Sequence, residues 1–149
     1  MNKFDRREIE SIVRQIIIED TNSDEFKRTV DKSGVISMKL PLFNTTEENR
    51  LNTGDSSHQV YTKDLVSLEE SPRMGIGLMV MENTTFNWHL SYDELDYIIE
   101  GKLTIVVDGR KIEASAGETI FIPKDTDIQF SVADKARFLY VTYPADWQG

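Results

Sequence analysis

Glu94 and Asp96 stand two residues apart in NWHLSYDELDYIIEG, the stretch from Asn87 to Gly101. On a β-strand that spacing turns both carboxylates to one face, about 7 Å apart at the backbone. If that face is an interior, two unpaired negative charges there are costly. At least one must share a proton, meet an arginine or lysine, bond tyrosine hydroxyls or hold a hard cation such as Mg²⁺. Asn87 and His89 are also two apart and form a second same-face pair upstream. His58, the other histidine, sits in a polar loop and reads as a solvated side chain. The 149 residues include no cysteine. That removes disulfides, thiolate nucleophiles and Cys-ligated metals together.

Short strands must position these groups. From Val35 onward the pattern is one of apolar alternation punctuated by turn signals. Strands are expected at 35–40, 59–65, 74–81, 84–90, 94–101, 102–107, 118–123, 127–132 and 137–144, with RKIEAS returning after Asp108-Gly109. That dipeptide marks a two-residue hairpin, because both central positions want positive φ. Tyr97 alternates away from Asp96. Tyr140 and Tyr143 point to opposite faces, so one of them reaches the interior, and Tyr140 is the choice. About nine short strands without helical pattern predict an all-β antiparallel sandwich or barrel.

The first 34 residues differ. FDRREIESIVRQIIIE (residues 4–19) places Ile9, Ile12, Val13, Ile16 and Ile17 at helical spacing, with one oily and one charged face. Asp20 to Gly34 is polar, a tether with room for a short helix near Phe26. The expected division is therefore 1–34, helix and linker, and 35–149, the β domain. A net charge of −9 with no basic cluster argues against nucleic acid and anionic membrane as partners. No apolar run reaches the roughly 20 residues of a membrane helix. No signal peptide opens the chain, which predicts a cytoplasmic protein.

The residues carry a resemblance. Glu94 and Gly101 fit the end of the first cupin motif, and Gly117 and Pro123 fit the start of the second, one hairpin apart. The resemblance implies a cupin-like β-barrel, or jelly roll, commonly a homodimer. Cupin metal sites use three histidines and a glutamate. Here the matching positions are Asn87, His89, Glu94 and Ile128, so no transition-metal site is expected. The wording of NWHLSYDELDYIIEG, GETIFIPKDTDIQF and RFLYVTYPADWQ further resembles the EutQ family of ethanolamine-utilisation proteins. That likeness implies a bacterial microcompartment setting, with residues 4–19 docking on shell or cargo proteins. It also implies acetate kinase activity, moving phosphoryl groups between acetyl phosphate and ADP. Glu94 and Asp96 are then the catalytic pair, Asn87, His89 and Tyr140 line the cavity, and Mg²⁺ at the carboxylates accompanies ATP or ADP. No cofactor is expected to be tightly bound. The alternative is a non-catalytic barrel that binds a small molecule or assembles cargo. Arg73, Lys102, Lys124 and Arg137 are the cations near the motif in sequence.

Overall fold

The computed structural model describes residues 5–22 and 24–148, and side chains except those of residues 17–25. The chain forms two compact units, Met1–Asn44 and Thr45–Gly149.

In the first unit, α1 spans Arg6–Asn22. Its start is closed by a reciprocal cap. Asp5 Oδ1 accepts the Glu8 amide at 2.8 Å, and Glu8 Oε2 accepts the Asp5 amide at 3.0 Å. Two of the otherwise orphaned amides are satisfied in this way. Ile9, Ile12, Val13 and Ile16 are each about half exposed, so the apolar stripe is uncovered. The Ile17 side chain, expected in the same stripe, lies outside what is described. A short helix, α2 (Asp24–Lys27), appears near Phe26 as expected. The tether then does something the polar pattern concealed. Strand β1 (Arg28–Val30) pairs antiparallel with β2 (Ile36–Met38) in a separate hairpin. Lys39 Nζ lies 4.4 Å from the centre of the Phe26 ring, a cation–π contact across the hairpin's base.

The second unit is a rolled antiparallel sheet. Its strands are β3 (Gln59–Asp64), β4 (Gly75–Leu90), β5 (Asp93–Val107), β6 (Arg110–Ser115), β7 (Thr119–Ile122) and β8 (Thr126–Tyr143). The order is β3-β4-β8-β5-β6, with β7 also on β5. Three pairs of expected strands are thus continuous: 74–81 with 84–90, 94–101 with 102–107, and 127–132 with 137–144. Bulges explain why each reads as two. Between Glu82 and Thr84 an extra residue, Asn83 at φ 40°, reverses which side chains face inward. Met79 and Met81 are buried before it, and Thr84, Phe86 and Leu90 after it. A one-residue insertion does this because strand side chains alternate with period two. A second irregularity past Ile98 transfers burial from Ile98 to Leu103 and Ile105.

The Asp108-Gly109 turn forms as expected, at φ 49° and 74°. The core is built on stacked aromatics. Phe86 and Phe130 are a direct cross-strand pair with ring centres 5.3 Å apart, and Phe138 continues the stack at 6.5 Å. Burying each such ring contributes roughly 1.5–3 kcal/mol.

Candidate functional site

Glu94 and Asp96 share one face of β5, as their spacing predicts, and that face is the interior, where both are almost wholly buried. Their neighbours across the sheet are Thr142 and Tyr140 on β8, and Ile122 and Ile120 on β7. Glu94 Oε2, both oxygens of Asp96 and Thr142 Oγ1 have no hydrogen-bond partner. Loss of hydration drives both carboxyls toward the neutral form. Burial is the main reason that Glu94 is pushed up to about 7. Asp96 is pushed well above the carboxylate range, by burial first and then by the Glu94 charge. Both carboxyls are therefore biased toward the protonated form.

Tyr140 is inside, as expected, and Tyr143 and Tyr97 are outside. The Tyr140 ring covers Gly77, its cross-strand partner on β4, where any Cβ would collide with the phenol. Its hydroxyl donates to Asp64 Oδ1 at 3.0 Å. Burial, followed by the charge of Asp64, raises its pKa. Tyr92 is also inward and accepts a 2.7 Å hydrogen bond from Trp88 Nε1. Its pKa is raised, mainly by burial and then by the Glu94 charge.

Asn87 and His89 do not line this interior. Both are exposed on the outer face of β4. His89 Nδ1 lies 2.7 Å from Asp127 Oδ1, and Asn87 Oδ1 accepts from Gln129 Nε2 at 2.9 Å, each from the residue directly opposite on β8. They border a shallow surface depression of about 480 Å³ with Asp108 and Gly109. The inward residues are Phe86, Trp88 and Leu90. Alternation runs unbroken through the turn at Ser91-Tyr92, so the even-numbered residues from Thr84 to Ile98 share the inner face. A pair at 87 and 89 would share it with Glu94 only if the turn reversed that parity. Ile128 is inward, where the resemblance places a third histidine. Among the described residues no three His, Asp or Glu side chains converge to hold a metal ion. His58 is partly buried rather than simply solvated. Its Nδ1 is 2.8 Å from Thr53 Oγ1, and its ring lies beside Phe86.

Aromatic rings fill the interior above the acid pair. Trp147 meets Trp88, Tyr92 and Tyr140 with ring centres 6.1, 6.1 and 5.7 Å apart. The room left among these rings and Glu94 is about 10 Å³, close to what one water molecule needs. On the other side of Trp88 and Trp147 an open cleft of about 570 Å³ is lined also by Asn49, Arg50, Asn52, Lys63 and Asp64. This cleft joins four separate stretches of chain, so no local pattern announced it. Its cations are not those near the motif in sequence. Lys102 is paired with Glu113 at 2.7 Å, and Arg73, Lys124 and Arg137 do not line it. The Arg50 guanidinium is held by both Glu47 oxygens, the His58 carbonyl and the Tyr61 hydroxyl.

These features define a cupin-fold β-barrel whose interior carries acids and aromatics in place of ligating histidines. A cupin superfamily protein from Desulfitobacterium hafniense shares the fold, with a TM-score of 0.53 at 20% identity over 70% of this chain and 85% of that one. The sequence profile of ethanolamine utilisation protein EutQ matches residues 4–149, and the chain belongs to that family. A relative from Clostridioides difficile (strain 630), named acetate kinase EutQ, is 56% identical over 99% of this chain and 96% of its own length. The solved structure of the Clostridium difficile EutQ protein has a TM-score of 0.79 at 62% identity, covering 80% of this chain and 88% of that one. The Escherichia coli (strain K12) protein of the same name is 41% identical over 64% of this chain, but only 41% of its own length is spanned.

Proposed function

We propose that this protein serves ethanolamine breakdown as an acetate kinase, with the phosphoryl transfer taking place in the cleft at the barrel mouth. The observation that carries the reading is the likeness to the Clostridioides difficile acetate kinase EutQ across nearly the whole of both chains. The cleft supports it physically. Its 570 Å³ suits a nucleotide-sized ligand. Trp88 and Trp147 offer stacking walls, and Lys63 supplies positive charge for phosphate oxygens beside Arg50, which is paired with Glu47. Mg²⁺ would arrive with the nucleotide, keeping most of its water ligands, with Asp64 as the protein carboxylate beside it. In the reaction the acyl phosphate P–O bond breaks, a β-phosphate oxygen of ADP forms the new one, and acetate leaves as its carboxylate. Catalysis is then positioning and charge neutralisation. Glu94 and Asp96 enter this reading as buried groups behind Tyr140 and Trp147. They meet substrate only if Trp147 moves.

The test is ³¹P NMR of untagged full-length protein with acetyl phosphate and MgADP. ATP should form, and Lys63→Ala should slow it by at least about tenfold. Folded protein that forms no ATP overturns the reading.

A second role is favoured by α1, whose uncovered stripe of Ile9, Ile12, Val13 and Ile16 suits docking on a shell or cargo protein of a microcompartment. A homodimer is likewise proposed through the outer sheet face. There Leu95 opposes Phe121, and Tyr97 and Tyr143 are also exposed.

A further inference from the structure

We propose that the small cavity above Glu94 is a binding site for the head of a small primary alkylammonium. The site is caged by Trp88, Tyr92, Tyr140, Phe86 and Trp147, with the Glu94 carboxyl at its base. The proposal is independent of the phosphoryl-transfer reading, which concerns the outer cleft.

Four observations converge. The first is a buried carboxyl oxygen with no hydrogen-bond partner. Glu94 lines the cavity and its buried Oε2 has no hydrogen-bond partner, while Asp96 and Thr142, also with unpartnered oxygens, lie outside the lining. Such buried, unsatisfied groups are rare and costly. An ammonium donates hydrogen bonds, accepts none and brings a positive charge to the carboxylate, where a water brings no charge. The second is the wall. Rings of Trp88, Tyr92 and Tyr140 surround Trp147 with centres 5.7–6.1 Å away. An aromatic cage over a carboxylate suits a cation, because the ring faces are electronegative. The third is size. The room of about 10 Å³ admits a group of one heavy atom, such as an ammonium head, and excludes carboxylate or phosphate heads. The fourth is the exit. Leu51, Trp88 and Trp147 border both the cavity and the open cleft, so a short alkyl tail can leave past Trp147.

Binding a cation here requires the acid pair to ionise. The titratable groups around Glu94 are Asp96 beside it, Tyr92 before it in the chain, Tyr140 on β8, and Asp64 on β3 beyond Tyr140. Ile120 and Ile122 on β7 add none. Ammonium binding near neutrality therefore displaces a proton from the carboxyl pair.

The experiment is calorimetric titration of the full-length protein with ethylammonium chloride at fixed ionic strength, in two buffers of different protonation enthalpy. Ethanol, sodium acetate and sodium chloride serve as probes of the tail, the anion and the salt. Tryptophan fluorescence is followed in parallel. Ethylammonium should bind, change the fluorescence and release a proton, seen as a buffer-dependent heat. Ethanol, acetate and sodium chloride should do none of these. Glu94→Gln should abolish binding while its circular dichroism stays that of the parent. Trp147→Ala should weaken binding by at least about fivefold. The proposal is overturned if ethylammonium gives no heat and no fluorescence change, if acetate or ethanol matches it, or if folded Glu94→Gln binds as well as the parent.

Discussion

The Tyr140 hydroxyl donates a 3.0 Å hydrogen bond to Asp64 Oδ1, across 76 residues of sequence. It ties the closed interior of the barrel to the open cleft at its mouth. The same ring lies on Gly77, so the tie is held from below by a residue with no side chain. Aromatic cover of a strand glycine is a known way to fix register.

Tyr140→Phe keeps the ring over Gly77 and removes the donor to Asp64. It should cost about 1–2 kcal/mol in urea unfolding. Gly77→Ala places a methyl inside the phenol's volume and should cost roughly 1–3 kcal/mol or more. If Gly77→Ala is neutral, the ring is not fixed where it is described.

The acid pair predicts a signed pH dependence. Folded Glu94 is held up at about 7 by burial, and Asp96 is raised as well. Between the ordinary carboxyl range and the folded pKa, the native state binds more protons than the unfolded state. Stability contributed by the pair is therefore full at low pH and is lost as pH rises through that window. Glu94→Gln and Asp96→Asn remove this loss. Their melting temperatures should gain on the parent as pH rises from about 4 to 7. A gap that is constant with pH would contradict the shift.

Much of this was legible in the residues. Period-two alternation located the strands, Asp108-Gly109 announced its hairpin, and the same alternation set Glu94 and Asp96 on one face, which the cupin resemblance turned inward. The parity of Asn87 and His89 was not legible from a motif match. It depends on whether the turn at Ser91-Tyr92 inserts a reversing residue, and it does not. The bulge at Asn83 hid the continuity of β4 for the same reason. The cleft could not be seen at all, because Arg50, Lys63 and Trp147 become neighbours only when the sheet rolls.

The two faces of β4 give a direct check. His89→Ala removes an exposed pair with Asp127 and should change stability by less than about 0.5 kcal/mol. Trp88→Ala opens the aromatic cluster and should cost roughly 3 kcal/mol. Equal costs would place both residues on the same face.

The helix is expected to be separable. Removing residues 1–20 should leave the barrel's thermal unfolding within a few degrees, because the α1 stripe is already uncovered. The same residues fused to a fluorescent reporter should carry it into microcompartments. A diffuse reporter would argue against docking.

Amide chemical-shift mapping of the full-length protein with MgADP tests the central claim most directly. The account predicts shifts concentrated at residues 48–52, 62–64 and 147–148, around the cleft at the barrel mouth. Shifts clustered on the outer face around Asn87 and His89, or none at saturating MgADP, would contradict it.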